Sequence, residues 1–306
     1  ITANQIALVL DNVYLFDNLN ESFKSLGKAQ KKIETYSRTL DLELDKCRQI
    51  QQSFLPRQLP NLPGWQIEEF FFPARRVSGD FYDAFMLPGG YCGLVIGDVC
   101  DKGVGSALFM ALYRSLIRIF SGQPQLSRSL VDTQSKTVGG PSDSSSIRHY
   151  SQVETMRTVA LTNDYIAQDN EMCMFATLFF AVLDPESGKL IYINGGHETA
   201  FIIDRSGVKE RLSPTGPAVG LIPQAEFKFK QVQLQPGDIL FAYTDGVSDA
   251  RSINEERFTR KRLISFLSQP VATASELMER IGTDLFAHIG KARQEDDITM
   301  LALQRE

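Results

Sequence analysis

Four short stretches of this chain place an aspartate beside a glycine or a second acid at the edge of an apolar run: Val77-Ser78-Gly79-Asp80, Val95-Ile96-Gly97-Asp98-Val99, Tyr243-Thr244-Asp245-Gly246 and Glu295-Asp296-Asp297-Ile298. Glycine next to a carboxylate permits tight backbone geometry and close approach of a ligand, and a strand end gives the acid a rigid support. Carboxylates gathered in one place repel one another unless cations lie between them, so convergence of these four implies hard divalent ions. Cysteine and histidine at zinc-ligand spacing are absent, which favours Mg²⁺ or Mn²⁺. Two such ions about 4 Å apart suit the activation of a water and the neutralisation of a phosphoryl group in transfer. Asp-Gly pairs also make ordinary turns and helix caps, and any one of these stretches taken alone reads better that way. The recurrence of four, each beside an apolar run, is what points to a site.

Such a set needs several strand ends brought to one place. Strands are expected at 66–73, 91–98, 174–183, 189–194, 200–204, 227–234, 238–243 and 298–303, and helices at 104–120, about 153–167, 255–268 and 273–289. Phe227, Phe229, Val232 and Leu234 alternate with polar residues, with a slip at Gln231 that suits a β-bulge. Several strands follow one another without an intervening helix, and Asp184-Pro185-Glu186-Ser187-Gly188 and Arg205-Ser206-Gly207 read as hairpin turns. The pattern predicts an α+β layered domain built on antiparallel sheet rather than a doubly wound parallel one. Residues 121–152, rich in Ser and Gly, read as a flexible insertion, either a surface excursion or a flap over the site.

Residues 1–55 follow a different rule. Leu19, Leu26, Ile33, Leu40, Cys47 and Phe54 recur every seventh position, and the companion positions Gln30, Ser37 and Gln51 are polar. A seam of this kind suits a dimeric coiled coil whose polar positions fix register; one amphipathic helix lying on its own domain is the other reading. Nearly fifty helical residues at about 1.5 Å each outrun the face of one domain, which favours the coiled coil. Pro56, Pro60 and Pro63 end the helix. The expected organisation is a helical linker over 1–55 and one catalytic body over 60–306.

With 306 residues, 43% of them hydrophobic, the chain has enough apolar material for a sizeable core. Its 32 basic and 37 acidic side chains leave a net charge of −5, without the basic excess of a protein that coats nucleic acid. No apolar run of bilayer-spanning length is expected, so no membrane partner is either. Cys47, Cys92, Cys100 and Cys173 are scattered without a C-x-x-C pair, as suits reduced thiols in a cytoplasmic protein. The first residue is Ile1, with no charged leader, which reads as a cut within a longer protein.

The ordered motifs resemble the SpoIIE/RsbU branch of the PPM metal-dependent serine/threonine protein phosphatases. The resemblance runs from Ile50-Gln51-Gln52-Ser53-Phe54-Leu55-Pro56 through Arg75-Arg76-Val77-Ser78-Gly79-Asp80-Phe81-Tyr82-Asp83 and Gly97-Asp98-Val99-Cys100-Asp101-Lys102-Gly103. It continues through Asn194-Gly195-Gly196-His197, Gly216-Pro217-Ala218-Val219-Gly220, Thr244-Asp245-Gly246-Val247 and Glu295-Asp296-Asp297-Ile298-Thr299. It implies a β-sandwich flanked by α-helices, an αββα arrangement, with Mn²⁺ or Mg²⁺, two ions, in a cleft at one edge. By position, Asp80, Asp98, Asp245 and Asp296 match the acidic ligands, Asp98 as the bridging one, and Val99 supplies a backbone carbonyl. The reaction this resemblance implies is attack of a metal-activated water on the phosphorus of a phosphoserine or phosphothreonine, without a phospho-enzyme.

The resemblance implies a phosphoprotein substrate, often a STAS-domain anti-anti-sigma factor in bacterial partner-switching control of transcription. The alternative is a module of the same fold that turns over weakly and binds a phosphoprotein partner. Ala3–Val13 resembles the closing helix of a GAF sensory domain, which implies a sensor upstream and a homodimer through the helix. Cys100-Asp101 stands where the family often has Ser-Gly, and Asp101 adds a carboxylate near the metals. No acid for the leaving oxygen is assigned. His197 is a candidate for that role, or a turn-closing histidine; Lys102, Arg75 and Arg76 are candidate phosphate contacts, or solvated surface charges.

Overall fold

Helix α1, Ala3–Phe54, carries no proline and stops where Pro56 forbids its continuation. A computed structural model of the protein describes residues 3–122, 152–168 and 170–306; the serine-rich insertion expected at 121–152 lies, apart from its ends, outside the described residues. The chain divides into two units, Ile1–Gln49 and Ile50–Glu306. In the first, the helix leaves Phe16, Leu19, Phe23, Leu26, Ile33 and Leu40 exposed along the heptad stripe.

The second unit is a sandwich of two five-stranded sheets. One contains β2 (Asp80–Met86), β3 (Cys92–Val99), β4 (Ala176–Asp184), β5 (Lys189–Gly195) and β8 (Lys230–Gln233) in the order β2-β3-β4-β5-β8. The other contains β1 (Trp65–Phe72), β6 (Ala200–Asp204), β7 (Gly207–Leu212), β9 (Ile239–Tyr243) and β10 (Ile298–Arg305) in the order β1-β10-β9-β6-β7. Every pairing between these strands is antiparallel. The inner faces meet through Leu94, Ile96, Phe179, Tyr192, Ile202 and Leu240. Helices α2 (Val104–Gly122) and α3 (Gln152–Gln168) cover the outer face of the first sheet through Met110, Tyr113, Ile117 and Val159. After the single turn α4 (Asp245–Ser248), helices α5 (Arg260–Leu267) and α6 (Ala274–Ile289) cover the second through Leu263, Leu277, Ile281 and Leu285. The αββα layering expected from the sequence is therefore present.

Several elements differ from expectation. Strand β2 was not anticipated because it is buried on both faces along nearly its whole length, which removes alternation, and because it contains two aspartates. Edge strand β7 is short and polar in the middle. The slip at Gln231 is not a bulge: Lys230–Gln233 pairs in unbroken register with β5, and the irregularity lies between Ile202 and Ile203. Helix α5 starts at Arg260, because Thr259, at φ 68°, caps it by accepting from the Arg262 amide. Contrary to the expectation of no span-length run, α2 is long and apolar enough to cross a membrane by length and composition; Met110, Tyr113 and Ile117 are nonetheless wholly buried against the sheet, as in a core helix. All four cysteines are free thiols.

One buried ion-pair cluster fastens α2 to β2. Asp83 is wholly buried and meets Arg118 Nε at 2.6 Å and Arg114 Nε at 2.8 Å. Removing one side of a buried pair strands the other charge. Asp83→Ala is expected to cost about 3 kcal/mol or more in urea unfolding; a loss below about 0.5 kcal/mol, typical of surface changes, would show that the arginines find other partners.

Candidate metal centre

The β2–β3 register sets Asp80 directly opposite Asp98. Asp80 opens β2 and Asp98 lies one residue from the end of β3, so antiparallel pairing brings both acids to the same edge. In the other sheet β9 runs out into Thr244-Asp245 while Asp296-Asp297 leads into β10, and these strands are also antiparallel neighbours. Thr244 N donates to Thr299 O at 3.0 Å, which closes that edge. The two sheets are joined there through Asp80: its Oδ2 accepts from Thr244 Oγ1 at 2.7 Å and from Thr299 Oγ1 at 2.5 Å.

The electrostatics match the crowding. Asp98 is pushed up to about 7, first by burial and then by Asp245 and Asp296. Asp245 is pushed up to about 6, again by burial first and Asp296 next. Burial, then Asp98 and Asp297, hold Asp80 well above the ordinary carboxylate range. Without added positive charge, these groups take up protons that separated aspartates would release. An all-oxygen donor set with this mutual repulsion fits hard divalent cations. Among the described residues no three acids, histidines or cysteines converge closely enough to hold a metal ion as they stand. Asp296 is turned to a cation already present, Lys102, whose Nζ donates to its Oδ2 and to Glu295 O, both at 2.8 Å.

The adjacent acids of Asp296-Asp297 have separate surroundings. Asp297 is buried and accepts from Ala74 N at 2.7 Å and Gly79 N at 3.1 Å, so its oxygens are committed to the loop before β2. Two glycines are fixed by close backbone approach. A Cβ on Gly79 would stand 2.7 Å from the Val99 carbonyl oxygen, and one on Gly246 would stand 1.9 Å from that of Asp297. The backbone carbonyl of Val99 is thus held against the Asp80 loop.

Lys102 stands at the rim, in a cavity lined also by Asp249, Arg251, Arg257, Gln294 and Asp296. His197 lies inside: it is 3% exposed, Nδ1 pairs with Thr177 Oγ1 at 2.8 Å, and its backbone N donates to Asn194 Oδ1. Burial lowers its pKa to about 4, so the ring is neutral, and so enclosed a ring offers no face to a phosphate. Asp101, at φ 68°, is exposed. Sequence reasoning missed Thr244 and Thr299. The available signal was a threonine close to each acidic motif, one residue before Asp245 and two after Asp297.

A family model described as Stage II sporulation protein E (SpoIIE) matches residues 88–306, more than half of the chain. The chain belongs to the SpoIIE family. Among its relatives, Protein IcfG of Synechocystis sp. is 48% identical over 266 residues, covering 86% of this chain and 42% of IcfG, so the chain spans less than half of that relative. Phosphoserine phosphatase RsbU of Bacillus subtilis is 24% identical over 97% of this chain and 81% of RsbU. Among solved structures, the SiaA-PP2C domain of Pseudomonas aeruginosa superposes with a TM-score of 0.67 at 20% identity, covering 89% of this chain and 98% of that one. A structure of RsbX in complex with magnesium superposes with a TM-score of 0.53 at 14% identity, covering 81% of this chain and 99% of that one. These superpositions establish a PP2C-like fold for the second unit.

Proposed function

We propose that this chain is the catalytic part of a metal-dependent protein serine/threonine phosphatase. The observation that carries the reading is the Asp80–Asp98 register with Asp245 and Asp296 at the same edge, where burial and mutual repulsion raise the pKa values of Asp80, Asp98 and Asp245. Asp80, Asp98, Asp245 and Asp296, with the Val99 carbonyl, are the groups that would hold Mn²⁺ or Mg²⁺, two ions by analogy with the family. Bound there, divalent cations supply Lewis acidity that makes a water nucleophilic near neutral pH and offsets charge on a phosphoryl group. The chain's own residues do the positioning. Thr244 and Thr299 fix the Asp80 carboxylate, Gly79 lets the Val99 carbonyl approach, and Lys102 carries positive charge at the rim to meet a phosphate dianion.

The substrate we propose is a phosphoserine or phosphothreonine on a STAS-type anti-anti-sigma factor, in a cytoplasmic partner-switching pathway. Family membership and the resemblance to RsbU support this. Incubating the protein with Mn²⁺ and either such a phosphoprotein or small phosphorylated metabolites tests it. Release of phosphate from the protein alone is the expected result. Turnover of a metabolite alone would assign another substrate class, and tight binding without turnover would make the chain a sequestering module.

For residues 1–55 we propose a dimeric linker leading into the catalytic body at 60–306, with a GAF-like sensor upstream suggested by residues 3–13. Support comes from the exposed stripe of Phe16, Leu19, Phe23, Leu26, Ile33 and Leu40, which a partner helix would cover. Light scattering is expected to give a dimer for 1–306 and a monomer for 50–306. The same oligomeric state for both would remove the coiled-coil proposal.

A further inference from the structure

Gln51 sits in the last turn of α1, within the second unit, and does not behave as a surface glutamine. It is 7% exposed, and both ends of its amide are spent on one residue: Nε2 donates to Ser78 O at 2.6 Å and Oε1 accepts from Ser78 N at 3.0 Å. Ser78 is itself 1% exposed, so without Gln51 its backbone N–H and C=O would both be buried without these partners.

What Ser78 carries makes the contact consequential. Its Oγ accepts from Asp80 N at 3.0 Å. The next residue, Gly79, donates to Asp297 Oδ2 and accepts from Val99 N at 3.3 Å. The segment Ser78-Gly79-Asp80 is therefore held by Asp297 ahead of β10, by Val99 at the end of β3, and by Gln51 from the helix. The first two anchors lie in or directly beside strands that adjoin acids of the site. Gln51 is the anchor that comes from outside the sandwich. The geometry points to Gln51 as a positioning residue, which fixes the loop bearing Asp80 so that Asp80 stays in register with Asp98.

A helix advances 100° per residue, so a rotation of this last turn by one position withdraws Gln51 from Ser78. Neighbouring Gln52 and Ile50 are exposed and take no part in the contact. Gln51 falls on the heptad positions whose polar members were expected to set the coiled-coil register; its amide is committed instead to the catalytic body.

This inference rests on the metal-site reading, and the experiment separates the two. In the full chain, Gln51→Met keeps volume and removes both hydrogen bonds. Gln304→Met is the matched control: Gln304 is equally buried and likewise holds a backbone loop with both ends of its amide, accepting from Ala274 N and donating to Ala272 O, at the far end of β10. Hydrogen exchange is followed in metal-free protein, and Mn²⁺ binding is measured by electron paramagnetic resonance of the free ion. For Gln51→Met, the amides of residues 78–80 are expected to exchange at least about tenfold faster, and the Mn²⁺ Kd to rise by a similar factor. For Gln304→Met, neither changes although its Tm falls. A folded Gln51→Met with wild-type exchange at 78–80 would overturn the proposal. Should that variant not fold, Gln51→Glu, which keeps the acceptor for Ser78 N and loses the donor, is read by the same criteria. If the wild type binds no Mn²⁺, the metal-site reading fails, while the exchange comparison still decides whether Gln51 holds the loop.

Discussion

Asp98→Asn is expected to abolish phosphate release, with a loss of about 1000-fold or more, while making the metal-free protein more stable near neutral pH. The two effects have one cause. Asp98 faces Asp80 across the β2–β3 ladder and feels Asp245 and Asp296 from the other sheet, so acids of both sheets act on it. Charge stabilisation by bound metal contributes several kcal/mol to a phosphoryl-transfer barrier, and each 1.36 kcal/mol is tenfold in rate. Without cations the same carboxylate is a liability, because burial and its neighbours oppose its ionisation. The amide keeps the shape and removes the charge. Phosphate release with Mn²⁺ and thermal unfolding in EDTA check the pair. A variant with wild-type activity would exclude Asp98 from the centre, and one that loses activity and metal-free stability together would mean that Asn fails to replace Asp98 structurally.

Stabilisation by divalent metal should be small near pH 5 and large near pH 8. Burial and the neighbouring acids push Asp98 up to about 7 and Asp245 up to about 6 in the metal-free fold, above the ordinary aspartate value of about 3.9. A raised carboxylate binds its proton more tightly folded than unfolded, so these two groups lower stability as pH rises from about 4 to about 7. Below that window both states are protonated and there is no penalty; above it the penalty is complete. Cations compete with those protons. Their contribution, about 2.7 kcal/mol at a hundredfold excess over Kd, should therefore grow through the same window and then level. Urea unfolding with EDTA or Mn²⁺ at the two pH values measures the increment directly. An equal increment at both, or a larger one in acid, would mean that the metal does not bind these carboxylates.

The Asp-Gly pairs stand out in the sequence, and the structure gives their glycines a reason: Gly79 and Gly246 face carbonyl oxygens that leave no room for a Cβ. The layering was legible because hairpin turns and uninterrupted strands allow few architectures. What the sequence hid was the way the sheets are joined. Thr244 and Thr299 reach Asp80 from 164 and 219 residues away, and no local period reports a contact of that range. Strand β2 was hidden because burial on both faces erases alternation. Asp296 and Asp297 are indistinguishable as neighbouring letters; only the fold shows that Asp297 is committed to Ala74 and Gly79 while Asp296 stays at the rim with Lys102. Gln51 was read as part of a helical seam because a heptad position cannot reveal that the helix has reached another surface.

The most direct test is release of inorganic phosphate from a phosphoserine-bearing protein as Mn²⁺ is titrated into the metal-stripped chain. Release should be absent in EDTA, rise to saturation with the metal, and return to the baseline when the chelator is added back. Release that is indifferent to EDTA, or no release from any phosphoprotein at saturating metal, would contradict a metal-dependent protein phosphatase centred on Asp80, Asp98, Asp245 and Asp296.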